Sequence, residues 1–331
     1  MNVSRKPAPA QIGAITQSRR EFLAASAKTA ALLAVTGLGL ETFLPGRTRA
    51  ADAAAATAAT AVKPVVGSQL YGWGQYYDRD KRNLFEHLDE VLSALRDAGY
   101  HYAEGNVDSN APDNNGRFAD RLRQKGLQPV SLYTGGRLHE AGPAAENVRK
   151  IVAAAKVCAQ AGFSVINCNV DPIGREKTDA ELANQVAALK DLAAGLKDLG
   201  LRLGIHHHTP ELQNHAREFH YNFRNAPAGL VDFCFDVHWV YRGGLAPMEA
   251  LTTYADRVVS WHLRQSREGI WWEDLDEGDV DYKAIAAYAS QHQIPPRYSV
   301  ELALEGGTKI TRSVVENHKR SRDYVRKVFG C

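Results

Sequence analysis

The chain has 331 residues, 44% of them hydrophobic, which is an ordinary size for a single large α/β domain with an ample core. Its 40 lysines and arginines nearly balance its 38 aspartates and glutamates, so the formal net charge is only +2. Because such a balance gives no long-range field toward polyanions, we expect neither nucleic acid nor an anionic membrane surface as a partner.

The first segment of the chain has the composition of an export signal. The stretch SRREFLAAS is followed by the apolar run AALLAVTGLGL and then by small residues near Ala50. A charged start, a short apolar middle and small residues at the end are typical of a signal peptide. The apolar run is too short to cross a bilayer stably, so we expect no stable membrane anchor.

A pair of arginines refines this interpretation. Arg19 and Arg20 precede Phe22 and Leu23 in a pattern that resembles the twin-arginine export signal, which carries proteins out already folded. We therefore predict a signal peptide over residues 1–50, an alanine-rich linker over 51–63 and a barrel domain over 64–331. The predicted localisation is the periplasm.

Eight short apolar segments follow, and amphipathic segments separate them. In the amphipathic segments the apolar residues recur every three or four positions and a glycine stands at the end, a pattern typical of helices. Eight strand–helix units over about 265 residues match a single (β/α)8 TIM barrel. A doubly wound sheet is the alternative, but no GxGxxG motif follows the first strand. The predicted strands are residues 65–71, 100–106, 127–134, 163–170, 201–208, 230–238, 257–263 and 297–303.

The ends of the predicted strands are polar and aromatic all round the ring, whereas a structural layer of a barrel is mostly Val, Ile and Leu. Residues two apart share one face of a strand, so these side chains can point into the barrel mouth together. We therefore expect an active site there. The strand-end residues are Gln69, Tyr71, Trp73, Tyr102, Glu104, Asn106, Ser131, Tyr133, Asn167, Asn169, His206, His208, Asp236, His238, His262, Arg264 and Glu301.

Four consecutive strand ends offer metal-binding side chains. These are a histidine of the fifth strand followed by Asp236, His262 and Glu301. A mixture of imidazole and carboxylate donors suits one divalent ion, and two imidazoles favour a transition metal over magnesium. We expect Mn²⁺, with Co²⁺, Zn²⁺, Fe²⁺ and Mg²⁺ as alternatives.

The order and spacing of five motifs resemble the sugar phosphate isomerase/epimerase family. These xylose isomerase-like barrels include inosose dehydratases and are related to AP endonuclease family 2. The resemblance covers the predicted barrel domain and implies metal ligands at the ends of strands five to eight, which by position are His206, Asp236, His262 and Glu301. The motifs are H-x-H-x-x-E from His206, FDVHWVYRGG (235–244), WHLRQ (261–265), DEGDVDYKAI (276–285) and SVEL (299–302).

The fifth strand departs from the commonest family pattern, in which a glutamate both binds metal and acts as a base. His206 takes that position here, and His208 lies on the same face as a proton-transfer or substrate group. His207 points to the opposite face, and we expect Glu211 to orient a ligating histidine. The expected catalytic residues are thus Glu301, His208 and His206. Loss of one carboxylate favours a lyase relative to an epimerase.

The remaining polar and aromatic strand-end residues are candidates for substrate binding. Arg264 stands where relatives commonly carry lysine and keeps a cation for a substrate oxygen, while indole rings can stack on pyranose faces. Only EGGTK (305–309) resembles a phosphate-binding loop, so we expect an unphosphorylated carbohydrate. The expected substrate contacts are Glu104, Asn169, His238, Arg264, Trp73 and Trp271.

Three functions stay open on these grounds. The first is a metal-dependent carbohydrate isomerase or epimerase that abstracts a proton next to a metal-bound carbonyl or hydroxyl. The second is a lyase, either a dehydratase or an enzyme that cleaves 3-keto-glycosides by β-elimination. The third is a non-catalytic sugar-binding barrel. A DNA-repair endonuclease is disfavoured by the near-neutral charge and the export signal. A homodimer is left open.

Overall fold

Eight parallel strands close into a barrel, and the computed structural model describes this part of the chain, residues 63–331. The predicted signal peptide and nearly all of the predicted linker lie outside the described residues. The barrel strands are β1 (Val65–Gln69), β2 (Tyr102–Asn106), β3 (Ser131–Gly136), β4 (Val165–Val170), β5 (Arg202–His206), β6 (Val231–Asp236), β7 (Val258–Leu263) and β10 (Arg297–Val300).

Each barrel strand pairs with the next barrel strand along the chain, so that β7 pairs with β10, and β10 pairs with β1 to close the ring. The closing register joins Val65 to Arg297 and Gly67 to Ser299. Between β7 and β10 a small antiparallel hairpin is inserted, formed by β8 (Ser266–Arg267) and β9 (Ile270–Trp271). The predicted (β/α)8 barrel is confirmed.

Helices connect the strands and cover the outside of the barrel. Helix α4 ends before Gly162, at φ +86°, and α5 ends before Gly200, at φ +77°, a left-handed conformation that glycine adopts without a Cβ clash. The helices are α1 (Leu70–Arg79), α2 (Leu88–Asp97), α3 (Asp113–Gln124), α4 (Ala141–Gln160), α5 (Asp179–Asp198), α6 (Thr209–Arg224), α7 (Val237–Arg242), α8 (Pro247–Tyr254), α9 (Tyr282–Gln291) and α10 (Val314–Phe329), with 3-10 turns at Leu84–His87 and Ala255–Arg257. None of them, over residues 63–331, is long and apolar enough to cross a membrane.

Strand alternation separates an apolar outer layer from a polar interior. In β4, Ile166 and Cys168 belong to the hydrophobic core, whereas Asn167 hydrogen-bonds to Glu104 and Ser260 inside the barrel. A barrel interior with this many polar groups must satisfy each of them by hydrogen bonding, because an unpaired buried polar atom is costly. The polar side chains inside the barrel therefore point to the site expected at the carboxyl ends of the strands.

Strands β1 and β6 end earlier than predicted because the chain turns directly into a helix. The side chain of Gln69 accepts a hydrogen bond from the backbone N–H of Tyr71 and caps α1. Asp236 caps α7 in the same way, with Oδ1 accepting from the N–H of Trp239 at 2.8 Å. Beyond these caps the side chains follow helical rather than two-residue periodicity.

Candidate metal and substrate site

Four buried side chains at the carboxyl ends of adjacent strands bring one donor atom each to a common point. The donor atoms of His206, Asp236, His262 and Glu301 all lie within 4.8 Å of one another. The Nε2 atom of His206 is 3.2 Å from Oδ2 of Asp236, and Nδ1 of His262 is 2.8 Å from Oε2 of Glu301. The structure thus brings together the four residues predicted as ligands.

Asp236 caps α7, and the capping hydrogen bond fixes the orientation of its carboxylate. Its Oδ1 atom is occupied by the backbone N–H of Trp239, so Oδ2 alone faces His206 and, at 3.9 Å, Nδ1 of His262. Burial opposes ionisation of this carboxyl group, but Arg264 and His206 outweigh it and hold the pKa of Asp236 well below its usual range. Asp236 therefore presents one charged oxygen to the donor cluster.

Glu104 determines which nitrogen of His262 faces the cluster. Its Oε1 atom lies 2.7 Å from Nε2 of His262, so Nε2 carries the proton and donates to the carboxylate. The other imidazole nitrogen, Nδ1, then points its lone pair at Oε2 of Glu301. Two acceptors at this separation require a proton or a cation between them.

Burial opposes protonation of His262, but the groups around it, Cys234 and Glu104 first among them, hold its pKa well above the usual range. Without a bound cation, a proton on Nδ1 therefore satisfies this contact. A divalent cation that replaced that proton would find a ready imidazole and carboxylate, so the donor set fits such an ion.

Glu104 is itself held by a network of polar side chains inside the barrel. Its Oε2 atom accepts from Nδ2 of Asn167 at 2.9 Å and from the hydroxyl of Ser131, and Ser260 donates to Oδ1 of Asn167 at 2.7 Å. Glu104 lies at the floor of the cavity, as expected, but its contacts within the protein assign it to His262. It orients a candidate ligand from behind.

Arg264 places a cation among the acidic donors. Its Nη2 atom is 2.9 Å from Oδ2 of Asp236 and 2.8 Å from Oε2 of Glu301. The guanidinium carbon lies 5.1 Å from the ring centroid of Trp239 and 4.9 Å from that of Trp271. Burial raises the pKa of Glu301, whereas Arg264 and His262 lower it, and the net effect brings it to about 2.

The three consecutive histidines are separated as strand alternation predicts. His208 lines the cavity, with its ring centroid 4.7 Å from that of His206 and 5.1 Å from that of Trp239. Burial and the neighbouring His206 lower the pKa of His208 to about 3, so its imidazole is neutral at pH 7. His207 is buried on the opposite face and packs against Phe219 in the core.

Glu211 does not orient a ligating imidazole, contrary to the prediction. Its Oε2 atom accepts a hydrogen bond from the backbone N–H of His208 at 2.7 Å and caps the start of α6. The reason is geometric, since a residue three positions after a helix cap reaches back to the cap backbone. Burial raises the pKa of Glu211 to about 7.

Two predicted substrate contacts lie away from the cavity. Trp73 is 1% exposed in α1, donates from Nε1 to Oγ of Ser68 at 3.2 Å and packs on His318. His238, in α7, is also 1% exposed and does not line the cavity. Both follow a helix cap, so the two-residue alternation that placed them at the mouth does not apply.

The donor cluster opens into a cavity of about 1020 Å³. Among the predicted substrate contacts, Glu104, Asn169, Arg264 and Trp271 line this cavity. Five further aromatic residues do so as well, of which Tyr133 and Trp239 lie next to His206 and Arg264. Tyr133, whose hydroxyl is 3.4 Å from Nδ1 of His206, is one of the predicted strand-end residues, whereas Trp239 is not among them. Its position three residues after the cap Asp236 is the signal that would have placed it at the mouth.

Comparison with known proteins agrees with this architecture. Residues 92–326 match the family model described as xylose isomerase-like TIM barrel. An inosose dehydratase of Geobacillus kaustophilus (strain HTA426) is 26% identical over 220 residues, which cover 62% of this chain and 68% of that protein.

Solved structures share the fold at low sequence identity. A sugar phosphate isomerase/epimerase from Parabacteroides distasonis ATCC 8503 has a TM-score of 0.63 at 20% identity, over 83% of this chain and 98% of that one. A D-allulose 3-epimerase from Methylomonas sp., solved with D-allulose, has a TM-score of 0.65 at 14% identity, over 81% and 98% of the two chains. By its match over residues 92–326, the chain belongs to the xylose isomerase-like TIM barrel family.

Proposed function

We propose that the protein is a sugar-modifying enzyme that holds one divalent cation and moves a proton at a carbon next to an oxygen-bearing carbon of an unphosphorylated carbohydrate. The convergence of two imidazoles and two carboxylates, whose donor atoms all lie within 4.8 Å of one another, carries the proposal, because this donor set suits a divalent cation. The similarity to a D-allulose 3-epimerase and an inosose dehydratase supports a carbohydrate as the substrate.

His206, Asp236, His262 and Glu301 would hold the cation. When bound, a divalent ion supplies Lewis acidity, which makes the C–H bond next to a coordinated oxygen more acidic. Two imidazoles and two carboxylates suit Mn²⁺, Co²⁺, Zn²⁺ or Fe²⁺ better than Mg²⁺, and Mn²⁺ is our first choice.

The residues around the cluster supply the proton chemistry and the binding. His208 is neutral at pH 7 and lines the cavity, so it can accept a proton from a sugar carbon or return one. Arg264, held between Trp239 and Trp271, presents its guanidinium to a substrate oxygen. Trp271 and Asn169 form further parts of the wall.

A lyase is the second candidate, and the identity of residue 206 favours it. Epimerisation needs a base on each face of the reacting carbon, whereas elimination needs one base and one acid. Here His206 brings an imidazole to the donor cluster at the position where the commonest family pattern has a second catalytic carboxylate beside Glu301. In such an elimination the base takes the proton, the C–O bond at the β carbon breaks, a C=C bond forms and the leaving oxygen takes up a proton.

Metal analysis combined with isotope exchange tests the proposal. We expect Glu301→Gln and His206→Ala to lose bound Mn²⁺, measured by mass spectrometry of the metal, and to lose turnover together. His292→Ala, a matched change at an exposed histidine outside the site, should keep both. Unchanged metal content and unchanged turnover in both site variants would overturn the assignment.

Product analysis separates the two candidates. The protein is incubated with Mn²⁺ and a panel of free, phosphorylated and 3-keto sugars in deuterated water. Deuterium at carbon in a product isomeric with the substrate supports an isomerase or epimerase, and an unsaturated product supports the lyase. Exchange confined to the phosphorylated sugars would contradict an unphosphorylated substrate.

A further inference from the structure

The cavity continues well beyond the donor cluster. At one end it is lined by His208, Arg264 and Glu301, and at the other it extends between α1 and α3 as far as Phe85 and Arg121. Its volume of about 1020 Å³ is at the upper end of the range, about 300–1000 Å³, that encloses a drug-sized ligand. A single hexose at the donor cluster therefore leaves the far end of the cavity empty.

The far end is apolar. We call it the apolar arm and define it by six residues that line the cavity there, Leu70, Tyr71, Leu84, Phe85, Leu88 and Phe118. Leu84 and Leu88 are buried and form its floor, whereas Phe85 is 71% exposed and Tyr71 is 54% exposed. Large apolar side chains that are exposed together in a concave surface mark a binding site for an apolar group.

Several charged groups beside the apolar arm are engaged within the protein, whereas Asp78, which also lines the cavity, has an exposed carboxylate. Arg121 pairs with Asp89 at 2.8 Å, and Arg117 donates to Oδ1 of Asn114 at 2.8 Å. The carboxylate of Asp108 accepts from Nδ2 of Asn114 at 2.7 Å and from two backbone N–H groups. The arm itself therefore presents carbon surface, with charged and amide groups beside it, and this surface suits an apolar group.

We propose that the apolar arm binds an aromatic or similarly apolar aglycone, so that the substrate is a glycoside whose sugar lies at the donor cluster. This inference rests on the proposed function, because it uses the sugar to anchor the ligand. The continuity of one cavity from Glu301 to Phe85 selects a ligand that spans both ends. In the lyase alternative the aglycone is the leaving group, departing from the anomeric carbon as a protonated alcohol or phenol.

The glycine at position 74 allows a steric test within the arm. Gly74 lines the cavity, and a Cβ atom added there meets only Cδ2 of Leu84, at 3.9 Å. A longer side chain at this position in α1 therefore enters the arm without displacing the backbone. Phe85→Ala removes an exposed ring and leaves the floor intact. Ile270→Ala is the matched control, since Ile270 is exposed but does not line the cavity.

Binding is measured by calorimetry on the Mn²⁺-loaded protein with two probes, methyl and 4-nitrophenyl 3-keto-β-D-glucopyranoside. We expect the aryl glycoside to bind at least tenfold more tightly than the methyl glycoside. Phe85→Ala and Gly74→Leu should each reduce this preference by about tenfold without changing affinity for the methyl glycoside, because the first removes a ring that contacts the aglycone and the second fills part of the arm. Ile270→Ala should bind both probes as the unaltered protein does.

The outcomes separate this inference from the proposed function. If both glycosides are turned over with equal KM and the arm variants change nothing, the aglycone site is refuted and the enzyme assignment stands. If neither reacts but aryl binding still depends on Phe85, the aglycone site stands and the reaction is wrong. If Phe85→Ala converts a dimer to a monomer in sedimentation while aryl binding is unchanged, a second copy covers the arm and the inference fails.

Discussion

At the residue scale, the neighbours of each histidine decide its role. His206 and His262 reach the donor cluster because Asp236 and Glu104 hold their rings, whereas His207, one position along, packs on Phe219. An imidazole can be a ligand, a base or part of the core, and a carboxylate that fixes its tautomer favours the role of ligand. A buried carboxylate next to a histidine therefore helps to identify that histidine as a candidate ligand.

Glu104→Gln tests this at a position that does not belong to the four donors. An amide can still accept from Nε2 of His262 but lacks the charge that holds the ring, so we expect Mn²⁺ affinity to fall by about 10–100-fold. Calorimetric titration with Mn²⁺ measures it. The matched control is Glu273→Gln, a buried carboxylate paired with Arg312 away from the cluster, which should leave the affinity unchanged. Equal affinities in both variants would contradict the role of Glu104.

Glu211→Gln tests the cap behind His208. Burial raises the pKa of Glu211 from 4.5 to about 7, so the folded protein keeps a proton that the unfolded chain releases. The contribution of Glu211 to the free energy of unfolding therefore falls as pH rises from about 4.5 to 7, by roughly 3 kcal/mol, and does not change further above that interval. Glutamine keeps an oxygen for the N–H of His208 but does not titrate. Urea unfolding at pH 5 and pH 8 should show that the free energy of unfolding declines less in the variant than in the unaltered protein. An identical decline in both would refute the raised pKa of Glu211.

At the scale of the elements, the turn from strand to helix limited what the sequence could predict. Glu104, His206, Asp236 and His262 lie within strands, where the two-residue period holds, and the predicted placements were right. Trp73 and His238 lie beyond the caps Gln69 and Asp236, and they were placed wrongly. A capping carboxylate or amide reads as one more polar strand residue unless the helix after it is recognised.

Helix α6 carries local strain that no sequence pattern indicates. Asn214, His215 and Ala216 have φ values of +49°, +55° and +56°, a left-handed turn inside a helical segment. Only glycine adopts this conformation without cost, and a run of three is unusual. The turn redirects the chain directly after the cap formed at His208 and Glu211, so it fixes how the segment leaves the barrel mouth.

His215→Gly should stabilise the protein by about 0.5–1 kcal/mol. The left-handed conformation costs an L-residue about 1–2 kcal/mol, of which the greater flexibility of glycine in the unfolded chain cancels part. The matched control is Ala187→Gly on the exposed side of α5, where glycine should destabilise by about 0.5–1 kcal/mol. Urea denaturation of both variants gives the two changes, and destabilisation of both would show that the turn is not strained.

At the scale of the whole molecule, the ring closes only when both ends of the domain are present. The first strand pairs with the last one, with Val66 opposite Tyr298 and Ser68 opposite Val300. The donors from β5, β6, β7 and the segment after β10 therefore assemble only once the whole domain has been synthesised. Export of the barrel with a cation already bound would require a route that carries folded proteins.

We propose that the protein reaches the periplasm folded, through the twin-arginine pair at Arg19 and Arg20. The combined substitution Arg19→Lys and Arg20→Lys should hold it in the cytoplasm while its Mn²⁺ affinity and turnover stay unchanged, because both positions precede the barrel, which begins at Val65. Cell fractionation with immunodetection in a bacterial host measures the distribution. Arg5→Lys, an equal change outside the pair, should leave export intact. A doubly substituted protein still found in the periplasm would show that the pair is not the signal, since the ring of donors would then have crossed by another route.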